Sequence, residues 1–162
     1  MTTGMLLETK SNYYPDAKHP DTLSMGAEFV DFVMETLLRR GVVLQVYTSR
    51  KRQYEVGESV QGWEVKLDNR FLETGRLSIE IAEKSKRDIP VWTPSGIYRA
   101  DNTWIYIQGN FRRFYWFQKN ILIGLHKSGK YQEAESNGTV RKFYLPIADA
   151  DKYGVVFEEV SF

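Results

Sequence analysis

The chain has 162 residues and a mass of 18.9 kDa, with 22 Lys and Arg against 21 Asp and Glu for a net charge of +1. That length suits one domain, and the lack of cysteine excludes disulfides, thiolate metal sites and cysteine nucleophiles. Two histidines, His19 and His126, are too few for a histidine-rich metal centre, and a charge near zero argues against binding polyanions by bulk charge alone.

Residues 1–20 are polar and without period, which reads as an arm ahead of a single domain over 21–162. They hold no basic-then-apolar leader, and no apolar run reaches the roughly 20 residues of a membrane span, so a cytoplasmic protein without membrane contact is expected. Residues 21–40 predict a helix. Asp21 or Ser24 can cap it, Val30, Val33, Met34, Leu37 and Leu38 make its apolar stripe, and Gly41 can stop it. Val42 to Ser49 is β-branched and aromatic, which predicts a strand, and Arg50-Lys51-Arg52 opens a polar loop to Gly57.

Gly62 to Asn69 and Leu77 to Lys84 both alternate apolar with polar residues, and Gly75 between them suits a turn; together they read as a β-hairpin. Thr93-Pro94-Ser95-Gly96 breaks the chain. Thr103 to Ile107 and Phe111 to Phe117 predict two strands joined near Gly109 and Asn110. Gln118 to Lys127 predicts a short helix ending near Gly129, Val140 to Ile147 a last strand, and Ala148 to Tyr153 a helical turn. Aromatics make up 14% of the chain, which suits a β-rich core. One α/β (α+β) domain is the economical reading.

Side chains two apart on a strand share a face. Glu64, Lys66 and Asp68 would share one face of the first hairpin strand, and Ser78, Glu80, Ala82 and Lys84 one face of the second. If both apolar faces turn to one core, the polar faces coincide and gather Glu64, Lys66, Asp68, Glu80 and Lys84. Clustered carboxylates repel one another unless something neutralises them. A hard cation such as Mg²⁺ does so, and a nearby lysine can orient water or stabilise charge on a phosphate. A solvent-facing sheet surface with paired Glu and Lys has the same pattern.

Gly26-Ala27-Glu28 on a helix closing with Leu37-Leu38-Arg39-Arg40-Gly41, then a strand, then an acid-bearing hairpin, resembles the PD-(D/E)XK nuclease superfamily. Glu64-Val65-Lys66-Leu67-Asp68, then Thr74 to Glu80, then Glu83-Lys84 looks like small phage-type members, as does Pro94-Ser95-Gly96-Ile97 with Ala100-Asp101 and Trp104. The resemblance implies a restriction endonuclease-like mixed central sheet flanked by helices, with Mg²⁺ or Mn²⁺ as cofactor and DNA as substrate; a homodimer is compatible with it. Glu28 would match the first-helix acid, Glu64 or Asp68 the acid of the first hairpin strand, and Glu80 the acid of the (D/E)-X-K element. Glu64, Asp68 and Glu80 would then hold the metal, and Lys66 or Lys84 would activate the nucleophile. The lysine expected at position 82 is Ala82, which equally suits a catalytically inactive member acting as a nucleic-acid- or protein-binding accessory.

Arg50, Lys51 and Arg52, and Lys86 and Arg87, are local basic clusters that could hold phosphates, and Ser95 could do so through its hydroxyl or simply cap a helix. Glu58 is a second candidate for the upstream acid. Asp101 reads as a turn residue, the four tryptophans as core, and His126 as a surface residue without a role. A small interaction protein unrelated to nucleases, its aromatic strands forming a partner-binding sheet, is the third function class the chain allows.

Overall fold

A computed structural model describes residues 22–158; the expected arm over 1–20 and the cap at Asp21 lie outside them. The first helix, α1 (Thr22–Leu38), follows the predicted stripe: Phe29, Val33 and Leu37 are fully buried along it. The chain from Val42 to Ser49 does not form the expected strand, because only Val46 pairs, in a single bridge to Ser59. The basic run instead starts a short helix, α2 (Arg50–Glu55), whose Arg52 N–H is capped by the Ser49 hydroxyl at 3.3 Å.

Two four-stranded sheets follow. The first has the order β1 (Trp63–Leu67), β4 (Ile105–Gly109), β5 (Arg113–Gln118), β8 (Val155–Glu158). It is mixed, since β1 runs parallel to β4 and the other pairs are antiparallel. The second is antiparallel, with the order β3 (Thr93–Pro94), β2 (Arg76–Glu83), β7 (Val140–Pro146), β6 (Glu133–Ser136). Three more helices, α3 (Phe71–Thr74), α4 (Lys119–Lys127) and α5 (Ile147–Tyr153), complete a mixed α+β arrangement.

Alternation decides which core each strand serves. Trp63, Val65, Ile105, Ile107 and Phe114 turn to α1 and pack on Phe29, Phe32, Val33 and Leu37. The opposite side of the same sheet presents Tyr106, Tyr115 and Phe117 to Leu77, Ile79, Ile81, Phe143 and Leu145 of the second sheet, with Leu122 and Ala150 closing that cluster. The order is therefore α1, first sheet, second sheet.

This layering overturns the hairpin. β1 and β2 do not pair with each other; their apolar faces turn to different cores, not to one. The turn between them is the helical segment α3, anchored by fully buried Phe71 and ended by Gly75 in the left-handed region at φ 73°. β1 gains its partner from residues some forty positions later, as a parallel strand requires a long crossover. The predicted strands at β4, β5 and β7 and helices at α4 and α5 form within a few residues of the expected limits, while α2, α3, β6 and β8 carry no signal that the sequence reading used.

A second departure lies inside β2. The register shifts between Glu80, which faces Lys142, and Ala82, which faces Arg141. Arg141 and Lys142 are consecutive and point to opposite sides of β7, so the bulge takes Ala82 out of phase with Glu80.

Candidate functional site

β2 pairs with β7 along one edge and with the two-residue β3 only at its end. Its other edge, around Ser78 and Glu80, is open and faces the ends of β1 and β4. Side chains stitch this seam. Asp68 Oδ2 accepts from the Ser78 N–H at 2.8 Å, and the buried Gln108 carboxamide donates to the Ser78 carbonyl at 2.7 Å and to Asp68 Oδ2 at 3.3 Å. The open backbone pair of one strand is thus satisfied by two side chains from the other sheet.

Further along the seam, Glu64 is buried, with its side chain 2% exposed. Its Oε1 lies 2.9 Å from Lys66 Nζ, which is also 3.2 Å from Glu58 Oε1. Its Oε2 is buried and has no hydrogen-bond partner among the described residues. Burial pushes the Glu64 carboxyl up against the pull of the Lys66 ammonium, and the Glu58 charge pushes the same way. Burial works against the charged form of Lys66, yet the Glu64 and Glu58 carboxylates outweigh it and hold its ammonium well above the usual lysine range. Burial likewise raises Asp68, opposed by the Ser78 N–H, Gln108 and the nearby Lys142 charge. Tyr106, opposite Glu64 in the parallel register, is fully buried, which pushes its phenol well up; Glu64, Glu80 and Glu58 reinforce this. Charges on β1, on β2 and on the loop before β1 thus all act on one buried phenol.

Glu80 reaches the seam by a different tie. Its Oε1 accepts the Ser95 hydroxyl at 2.6 Å, and Gly96 sits so tightly on it that a Cβ there would come within 2.2 Å of the Glu80 carbonyl. Ser95 is buried and stands at the N-cap of the 3₁₀ turn Gly96–Tyr98, but its hydroxyl goes to Glu80 and makes no capping hydrogen bond.

The other expected site residues lie elsewhere. Glu28 is on α1, across the first sheet from the Glu64 face, and accepts the Ser24 hydroxyl at 3.4 Å. Lys84 lies beyond the bulge and sets its ammonium 4.8 Å from the Trp92 ring centre instead of in the seam. Arg50, Lys51 and Arg52 are exposed on α2, and Lys86 and Arg87 are exposed in the connection between β2 and β3. Arg87 donates to the Asn137 carbonyl at 2.7 Å. Among the described residues no three His, Asp or Glu side chains lie close enough together to hold a metal ion. Glu58, ranked below Glu64 from the sequence, proves to share Lys66 with it.

Asp101 is the expected turn residue, accepting the Thr103 N–H at 2.9 Å, and it also receives Lys119 at 3.4 Å and Arg99 at 3.6 Å. Trp63 is core, but Trp104 is 54% exposed. His126 is not an idle surface residue: its Nδ1 meets the Tyr98 hydroxyl and its Nε2 meets Glu133, both at 2.6 Å, joining the 3₁₀ turn, α4 and β6. Nothing local in the sequence foretells that chain, because its members are brought together only by packing.

Among the described residues, no helix is long and apolar enough to cross a membrane. In comparisons with known proteins the chain matches no family profile, no curated protein and no solved structure.

Proposed function

We propose that the seam is the site of a metal-dependent nuclease that hydrolyses DNA phosphodiester bonds, carried on a restriction endonuclease-like domain. The observation that carries this reading is the buried Glu64, which shares Lys66 with Glu58 and has one buried oxygen without a hydrogen-bond partner among the described residues. Desolvated, under-compensated carboxylates mark functional sites, because structural ones are normally fully paired.

Mg²⁺ is bound by one or two carboxylates, with waters and substrate phosphates completing its shell. Glu58 and Glu64, which already share Lys66, would hold such an ion as a pair, and Asp68 and Glu80 would be the alternative donors. A bound divalent ion would supply a water of lowered pKa and a counter-charge for the phosphate. Lys66, held charged by two carboxylates, is unsuited to act as a base. It can donate hydrogen bonds, orient the attacking water and stabilise developing negative charge. Exposed Arg50, Lys51, Arg52, Lys86 and Arg87 offer phosphates a positive approach.

The test is cleavage of single-stranded, duplex and branched DNA with Mg²⁺ or Mn²⁺. Cutting that Glu80→Ala and Asp68→Asn abolish supports the proposal; no cutting, or equal cutting by both variants, refutes it. The second reading is a non-catalytic relative that binds nucleic acid or protein. It is favoured by Ala82 in the lysine position and by carboxylates already engaged with Ser78, Ser95 and Lys66. A melting temperature indifferent to Mg²⁺ in both wild type and Asp68→Asn is its signature.

A further inference from the structure

The side of the second sheet turned away from the core carries Arg76, Ser78 and Glu80 on β2 and Tyr144 and Lys142 on β7, since Leu77, Ile79, Phe143 and Leu145 face inward. Register places Lys142 directly opposite Glu80, where cross-strand Cβ atoms are about 5 Å apart. Yet the two do not join. Glu80 takes the Ser95 hydroxyl, while Lys142 lies 5.5 Å from the Tyr144 ring centre and the Arg76 guanidinium 3.7 Å from the same ring. Among the described residues neither Arg76 nor Lys142 enters an ion pair, although Glu80 stands opposite one and Asp68 is close enough to feel its charge. The ring thus fixes two cations beside two acids and leaves the cations' charge unspent.

We propose that Arg76, Tyr144 and Lys142 form a landing platform for a single strand of nucleic acid, its phosphates on the two cations and an unpaired base on the Arg76–Tyr144 stack. The proposal rests on the nuclease reading and adds to it the form of the substrate and the surface that receives it. A guanidinium stacked on a ring offers a plane to an unpaired base, whereas the bases of a duplex are already stacked on one another. From Arg76 to Glu80 is about 13 Å at the strand rise, room for about four stacked nucleotides. A strand laid there passes beside Asp68 and Glu80.

Fluorescence anisotropy with labelled dT12 and U12, in EDTA so that nothing is cut, tests this directly. Each phosphate neutralised contributes about 0.7 to the slope of log affinity against log salt, so Arg76→Gln/Lys142→Gln should lower that slope by about 1.4. Tyr144→Leu, which keeps both charges, should weaken binding roughly tenfold through the lost platform. Circular dichroism checks that each variant is folded. The proposal is overturned if the double variant keeps the wild-type slope while Arg50→Gln/Lys51→Gln/Arg52→Gln lowers it. Preference for duplex over dT12 and U12, or binding only to anionic phosphatidylserine vesicles, overturns it as well. The two arms of the oligonucleotide test decide between DNA and RNA. Tight binding without cutting in Mg²⁺ removes the nuclease reading and leaves the platform; cutting of dT12 by the double variant at the wild-type rate does the reverse.

Discussion

Replacing Lys66 by Met tests the electrostatics of the seam most directly. The ammonium is the counter-ion of Glu64, whose side chain is 2% exposed, and of Glu58, which is 28% exposed and can turn to water. Without Lys66 the buried Glu64 cannot remain ionised and takes a proton. At pH 7 that proton costs about 3.4 kcal/mol, from about 1.36 kcal/mol for each pH unit between 7 and its ordinary value of 4.5. Lys66 is itself 37% exposed, so solvent already screens part of the pair, and Glu64 is already raised in the wild type; the net loss falls to about 2 kcal/mol. At pH 5 the same protonation costs only about 0.7 kcal/mol. Urea unfolding at both pH values should therefore show a loss near 2 kcal/mol at pH 7 that shrinks below 1 kcal/mol at pH 5, with a Tm fall of about 4–8 °C at the higher pH. Adding Glu64→Gln should remove most of the pH dependence of that loss. An equal loss at both pH values, or a stabilised variant, refutes the reasoning.

The stitch between the sheets gives a second expectation. Gln108→Leu removes the donor to the Ser78 carbonyl and to Asp68 and should lower stability by about 1–3 kcal/mol in denaturant unfolding. Asp68 binds protons more tightly folded than unfolded, so stability should rise as pH falls from neutrality toward its ordinary value of 3.8 and level off below it. Asp68→Asn should flatten its share of that rise in thermal melts between pH 4 and 7. Gly96→Ala combines a left-handed φ of 53° with a Cβ 2.2 Å from the Glu80 carbonyl. It should cost about 1–3 kcal/mol and, by moving Ser95 off Glu80, reduce any metal-dependent cleavage. Tyr98→Phe breaks the chain through His126 and should destabilise by about 1 kcal/mol in thermal melts while leaving cleavage unchanged.

Elements with their own periodicity were legible. The stripe of α1 and the alternation of β1 and β2 are local patterns, and the same atoms that made them readable bury them: Val33 and Leu37 on the helix, Leu77 and Ile79 on the strand. The short pieces were not. α3 is four residues long and held by the burial of Phe71, and Glu133–Ser136 is a strand only because β7 lies alongside. The candidate acids were proposed from type and spacing on a hairpin; of them Glu64 pairs with Lys66 along β1, and Glu58, which ranked second, shares the same lysine. The route to them was wrong, because the hairpin that was to join them does not exist.

What the residues decided alone is which side of each extended segment is apolar, since that needs only the two-residue period of the chain. Which strand lies beside which was decided by the three-dimensional arrangement. β1 finds β4 across some forty residues, and the bulge after Glu80 changes the phase of everything beyond it. Strand pairing is a contest among distant segments for two buried layers, settled by which apolar face reaches which core. So Lys66 came to be held between Glu58 and Glu64, Lys84 went to Trp92, and Lys142 arrived opposite Glu80.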